Sequence, residues 1–428
     1  LPRKRRQRTW RSHVVAVEEP SDSRIEPKCV HFGDCGGCRW QHMDYSSQLK
    51  WKQERVFSKF SEELNLERTR FDPIVASPKL WEYRNKMEFS FHQDREGNNY
   101  LGLHRFEGRH IVDLQECHLV DPLCSELLQV VRKWWKTVDC LAYFPPKDKG
   151  SLRSLTVRRG IVTGDMMVIL TVSGNPEFAL KRQELDLFVE LLEEAFKHKV
   201  PSLSIVLQIQ QARVGEPTQF YEMILAGPDT LRERLTVCVK GKEKSYTCLI
   251  SPTAFFQPNT LQAQYVYEQA LKVADLSKHD KVLDLFCGTG TIGMCASAFV
   301  DSVIGIELHK SSVYDAIENI KENNIENMEV IQGDAAIILR NLLSTQRVCK
   351  NTVVFVDPPR SGLGKECLKI LCEYDFSKII YISCNPETQL QDLKALQNLK
   401  GYSIESLSPV DQFPYTPHLE NIALLKKL

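Results

Sequence analysis

The chain lacks a net charge: Lys and Arg number 55 and Asp and Glu number 55 among its 428 residues. That excludes a uniformly basic coat for nucleic acid and leaves a local basic groove open. It lacks any run of about 18 apolar residues, so no segment reads as a membrane-spanning helix. It lacks an internal repeat and a low-complexity stretch. With 43% hydrophobic and 26% charged residues, a disordered chain is excluded as well. No apolar core follows the basic side chains of Arg3, Lys4, Arg5, Arg6, Arg8 and Arg11, so these do not begin a signal peptide. They read as a solvated tail or as an arm that touches phosphates. A cytoplasmic location is expected, with an organellar targeting sequence ahead of Leu1 left open.

Cysteine is not scarce, but 14 in 428 residues, about 3%, is too few for a disulfide scaffold. Most, such as Cys248, Cys349 and Cys372, stand singly in apolar surroundings and read as buried thiols of a reducing compartment. Cys29, Cys35 and Cys38 form a cluster, Cys29-x5-Cys35-Gly-Gly-Cys38, which points to metal rather than disulfides.

The length suggests two or three domains. Residues 46–66 read as a helix with Leu49, Val56, Phe57, Phe60 and Leu64 on one face. From 81 to 250 the pattern is mixed: strands at Met87–Phe91, Ile111–Leu114, Ser154–Arg158, Met166–Val172, 203–209 and 234–239, with helices at Cys124–Val138 and 179–198. After 250 the grammar changes. Short apolar strands at Val282–Leu285, Ser302–Ile306, Met328–Ile331, Thr352–Val356 and Lys378–Ile382 alternate with helices, the rhythm of a doubly wound α/β sheet. The expected division is a basic tail (1–28), a mixed α+β unit with the cysteine loop (29–250), and a Rossmann-like α/β unit (251–428).

Residues 281–293 run from a strand through Gly288-x-Gly290-x-x-Gly293 into a helix, and Glu307 follows Gly288 by 19 residues. The glycines admit a ligand to the backbone, and Glu307 can accept from ribose hydroxyls. The loop suits a nicotinamide dinucleotide or S-adenosylmethionine. Asp284 in the strand, Asp334 after the third strand and Asp357-Pro358-Pro359-Arg360 after the fourth favour methyltransferase grammar. Cys384, in Ser383-Cys384-Asn385-Pro386-Glu387-Thr388, lies on a strand-to-helix turn, where a helix N-terminus can lower a thiol's pKa. Glu420 is a candidate general base ahead of the strand Asn421–Leu425. Taken alone, a Glu so placed is more often a solvated surface residue.

Four motifs together resemble the RNA (uracil-5-)-methyltransferase family, the TrmA/RumA group. They are the Cys384 turn, Asp357-Pro358-Pro359-Arg360, Phe256-Gln257-Pro258-Asn259 and Thr416-Pro417-His418-Leu419-Glu420. With the cysteine loop they span residues 29 to 420 in family order. The resemblance implies methylation of uridine C5 in RNA. Cys384 would add to C6 and Glu420 would remove the C5 proton. Gln257, Phe286, Thr291, Glu307, Asp334 and Asp357 would surround S-adenosylmethionine.

The resemblance also gives the cysteines a role. Spacing alone allows zinc, with Cys117 as fourth ligand and Cys124 as runner-up. Similarity to the cluster-bearing RumA subgroup implies a [4Fe–4S] cluster on Cys29, Cys35, Cys38 and Cys117. Since methyl transfer has no redox step, its role would be structural or RNA-positioning. A flipped or single-stranded base is needed, and Arg84 and Lys86 are expected at phosphates, with Arg158, Arg159 and Arg360 as weaker candidates. Longer family members carry a TRAM barrel ahead of the cluster, and Arg11–Glu18 reads as a possible remnant. Ribosomal RNA is the favoured substrate and transfer RNA the alternative, with a monomer expected. An NAD-linked oxidoreductase and a catalytically idle RNA-binding iron–sulfur module are the competing readings.

Overall fold

The computed structural model describes residues 16–108, 110–212, 218–374 and 376–427. The possible barrel remnant Arg11–Glu18 falls mostly outside them; of its described part, 16–18 forms no strand.

The C-terminal half is an eight-stranded sheet. In spatial order its strands are Arg70–Phe71, Tyr402–Val410, Glu420–Lys427, Lys378–Ser383, Thr352–Val356, Lys281–Leu285, Ser302–Glu307 and Met328–Gln332. Side chains alternate between two covered faces, as a buried parallel sheet requires. Leu283, Leu285, Val354, Val356, Ile379 and Tyr381 enter one core. Val282, Val353, Phe355, Ile380 and Ile382 enter the other.

Two features of the topology make the site. The chain steps outward from Lys281–Leu285 through Ser302–Glu307 to Met328–Gln332, then returns to Thr352–Val356 on the other side. That reversal opens a crevice at the strands' C-terminal ends, where ligands bind in open α/β sheets. Glu420–Lys427 is the other feature. It runs antiparallel to both neighbours, with Asn421 opposite Ser383 and Glu420 opposite Val410. An antiparallel strand begins at the edge where its parallel neighbour ends, so the start of this strand is delivered to the end of Lys378–Ser383.

The central unit is a seven-stranded sheet from Ile111–Asp113 to Gln219–Ala226, with helices Pro122–Thr137 and Arg182–Phe196 against one face. Leu231–Val239 and Lys242–Ile250 form a separate hairpin. The helix Tyr45–Glu63 and strand Arg70–Phe71 precede this unit in sequence, yet they join the C-terminal one. Val56 and Phe60 enter its core, and Arg70–Phe71 pairs with Ser406–Leu407. The expected helical face is also shifted: Gln48, Lys52, Val56 and Phe60 are buried, and Phe57 is exposed. No helix among the described residues is long and apolar enough to cross a membrane.

Candidate active site

The glycine loop leaves the central strand at the crevice. Gly290 caps the helix Thr291–Ser297 with φ 82°, a left-handed conformation that glycine adopts without strain. At Gly293 a Cβ would come within 2.6 Å of Met328 Cε and 3.1 Å of Asp284 Oδ2, so a side chain there would displace Met328. Gly293 N–H donates to Asp284 Oδ2 at 2.9 Å. Asp284 is fully buried, and burial pushes its pKa up to about 8. Glu307 accepts from Gly288 N–H at 3.0 Å and His309 N–H at 2.8 Å, which orients its carboxylate across the loop.

The remaining expected cofactor residues divide. Gln257 is buried and donates to Asp357 Oδ2 at 3.4 Å across the crevice. Phe286 sits in the loop at φ 63°. Thr291 turns inward, its hydroxyl bonded to Tyr267 at 3.0 Å. Asp334 caps the helix Ala335–Ser344, accepting from Ala336 and Ile337 N–H through Oδ1. Thr291 and Asp334 therefore have structural duties at the positions where ligand contact was expected.

Cys384 follows Lys378–Ser383 and precedes Asn385, which caps the helix Pro386–Lys400. The strand register sets it beside Glu420. A helix N-terminus was expected to lower the thiol's pKa; instead it is pushed up to about 11. Burial is the largest cause, followed by the negative charges of Glu420 and Asp357, and the nearby Arg360 guanidinium opposes them only partly. Glu420 is 2% exposed, which overturns the solvated reading. Its pKa is raised well above the carboxylate range by burial and by Asp357, and that of Asp357 rises to about 7 through burial.

Among the described residues, the buried oxygens Asp284 Oδ1, Gln412 Oε1 and Glu420 Oε2 find no hydrogen-bond partner. Buried polar atoms are rarely left so without reason, and a ligand in the crevice is the natural partner for them. Gln412 was not anticipated. Its amide approaches Gln257 Oε1 and Asn259 O at 3.4 Å each. A glutamine inside a Pro-rich loop carries no sequence signal that would mark it.

The cysteine loop is stitched to the segment that carries Cys117. Gln115 N–H donates to His31 Nε2 at 2.9 Å, Val30 N–H donates to Glu116 Oε1 at 3.1 Å, and Gly36 N–H donates to His104 O at 2.9 Å. Cys29, Cys35, Cys38 and Cys117 are near enough to affect one another's ionisation, and burial raises the pKa of each. Cys124 is fully buried, in the helix Pro122–Thr137. Among the described residues, no three His, Cys, Asp or Glu side chains stand close enough to grip one ion.

Two of the expected phosphate contacts are corrected. Arg158 and Arg159 are buried. Arg158 donates to Ala254 O and Arg159 pairs with Asp121 at 3.1 Å, so both are used within the protein. Lys86 lies opposite Arg158 in the sheet and is partly buried; its pKa falls to about 8, through burial first and Arg158 second.

Residues 186–428 match the family described as tRNA (Uracil-5-)-methyltransferase. The chain is 45% identical over 418 residues to a Protochlamydia amoebophila protein described as an uncharacterized RNA methyltransferase, covering 97% of this chain and 94% of that one. A Chlamydia pneumoniae protein of the same description is 38% identical over 404 residues, covering 93% and 98%. Among solved structures, the chain is similar to Pyrococcus abyssi tRNA (uracil-54, C5)-methyltransferase in complex with S-adenosyl-L-homocysteine. The TM-score is 0.68 at 26% identity, covering 96% of this chain and 88% of that one.

Proposed function

We infer the chemistry of the crevice from one premise: the chain belongs to the tRNA (uracil-5-)-methyltransferase family and is an S-adenosylmethionine-dependent RNA methyltransferase acting at uracil C5. The mechanism proposed is covalent. C5 of uracil is too weak a nucleophile to take a methyl group directly. The Cys384 sulfur adds to C6, and the ring electrons move onto C5 and O4 as an enolate. C5 then takes the methyl group from the sulfonium, releasing S-adenosylhomocysteine. Glu420 removes the C5 proton, the C–H electrons re-form the C5–C6 double bond, and the C6–S bond breaks to return the thiolate.

The observation that carries this reading is the burial of Glu420 beside Cys384, at the end of the strand next to the cofactor crevice. A base shielded from water and a nucleophile on the same edge suit two steps on adjacent ring carbons. Gln257, Phe286, Glu307 and Asp357 are proposed to hold the cofactor. Thr291 and Asp334 remain in that set by the family resemblance. The test is Cys384→Ala. It should bind S-adenosylhomocysteine like the parent and transfer no methyl group; turnover by this variant would refute the covalent route.

A [4Fe–4S] cluster on Cys29, Cys35, Cys38 and Cys117 is proposed as well. The donor set fits: four half-buried thiols in mutual range, with Gly37 N–H directed at Cys35 Sγ at 3.4 Å. When bound, the cluster would supply a rigid inorganic tie between the two segments. Ribosomal RNA is the substrate proposed from the resemblance to the cluster-bearing subgroup. The likeness to a tRNA (uracil-54, C5)-methyltransferase favours a second reading, the transfer-RNA T-loop. Methylation of purified ribosomal and transfer RNA in parallel separates the two.

A further inference from the structure

The loop between Val410 and Glu420 is held by side chains that the methyl-transfer reading leaves unused. Lys52, on the helix Tyr45–Glu63, has a side chain wholly removed from solvent. Its ammonium donates to Asp411 Oδ1 at 2.5 Å and to Phe413 O at 3.0 Å. Tyr45 donates its hydroxyl to Asp411 Oδ2 at 2.9 Å. Gln48 accepts from Tyr415 N–H at 2.9 Å and donates to Met43 O at 2.8 Å. Tyr45, Gln48 and Lys52 are spaced i, i+3, i+7, so a single helical stripe faces the loop.

A buried ion pair is a poor way to gain stability, because desolvating both charges offsets most of their attraction. What such a pair does supply is direction. Asp411 follows Val410, and Val410 is the cross-strand partner of Glu420. Fixing Asp411 and the Phe413 carbonyl therefore fixes the loop from which the base emerges. Cys384 lies on the turn after a different strand, Lys378–Ser383, whereas the hydrogen bonds of Lys52 run to Asp411 and Phe413.

We propose that Lys52 is a positioning residue for proton removal: through Asp411 and Phe413 it holds Glu420 over C5, and it has no part in the attack by Cys384. This rests on the reading of Glu420 as the base. Lys52 therefore separates the two halves of the reaction.

The test uses the full-length enzyme with RNA carrying tritium at uridine C5. Lys52→Met should form the covalent adduct at the parent rate and bind S-adenosylhomocysteine normally. Tritium release should slow by about 10- to 100-fold, the scale of a 1 Å misplacement, and the adduct should accumulate on denaturing gels. Where Lys52→Met leaves Asp411 uncompensated and fails to fold, Lys52→Met with Asp411→Leu removes both charges, and the same split is expected. Equal slowing of adduct formation and tritium release, or slowing of neither, overturns the proposal. Glu420→Gln is run alongside. If it traps the adduct and the Lys52 variants do not, the positioning role fails alone. If Glu420→Gln traps none, the base assignment fails and the proposal goes with it.

Discussion

Burial raises the pKa of both Cys384 and Glu420, the proposed nucleophile and the proposed base. For Cys384 the cause is burial first, then the neighbouring carboxylates; for Glu420 it is burial first, then Asp357. The sign of the pH dependence follows. A base whose pKa is raised works only after it ionises, so the acid limb moves up from the ordinary carboxylate range near 4.3. Burial and the neighbouring Asp357 set that limb well above the range of an exposed carboxylate. Thiolate formation at Cys384, with a pKa of about 11, presses in the same direction. Single-turnover methyl transfer should therefore climb between pH 6 and 9; a plateau reached by about pH 5.5 would contradict the assigned environments. The residue types were legible in the sequence, because Cys in a polar turn and Glu after a Pro-rich loop have few bland explanations in combination. Their ionisation was not. The lowered thiol pKa expected from a helix N-terminus ignored carboxylates 27 and 36 residues away in the chain (Asp357 and Glu420), which only the fold brings near.

Among the elements, the antiparallel strand Glu420–Lys427 does most to build the site. Its start is joined to the Cys384 turn through a buried amide pair. Gln389, on the helix Pro386–Lys400, donates to Asn421 O and Tyr381 O at 3.0 Å each, and Asn421 donates back to Gln389 Oε1 at 2.8 Å. Gln389→Leu would leave buried amide and carbonyl groups unpaired, at a cost of about 1–3 kcal/mol. Thermal melting should register that loss together with slower turnover, whereas an unchanged melting temperature would mean the pair is dispensable. The β/α elements after residue 280 were readable almost to the residue, since an apolar run between turn residues has one interpretation there. On the helix Tyr45–Glu63 and its cap, the expected Val56, Phe60 and Leu64 are buried, and Phe57 is not. Hydrophobicity selected Phe57, whereas the buried i, i+4 series is Gln48, Lys52, Val56 and Phe60. A lysine buried against a distant aspartate leaves no trace in a hydrophobic pattern. The strands Asn99–His104, Gln219–Ala226 and Tyr402–Val410 also went unread, because Gly102, exposed apolar side chains and Pro409 blur the alternation that would mark them.

At the scale of the molecule, the cysteine loop is bonded to both the central and the C-terminal unit. The loop reaches the central unit through Gly36 and His104. It reaches the loop between Val410 and Glu420 through Arg39 and Trp40 N–H, which donate to Tyr415 O at 2.9 and 3.1 Å. Trp81 stacks on Tyr415 with ring centroids 4.0 Å apart. A cluster in that loop would stiffen the junction between the central and C-terminal units. Anaerobically purified protein should be brown and contain about four irons per chain, and Cys35→Ser should lose both; colourless parent protein carrying zinc would overturn the cluster. The composition, at zero net charge, gave no sign of such a junction, and the motifs alone were enough to point to the family.

The account rests on a bond between sulfur and a pyrimidine carbon. Its most direct test is mass spectrometry of the complex formed by Glu420→Gln with RNA and S-adenosylmethionine, isolated under denaturing conditions. The predicted result is a peptide containing Cys384 joined through sulfur to a uridine that already carries the new methyl group. A methylated RNA with no attached peptide, or an attachment at any other cysteine, would contradict it.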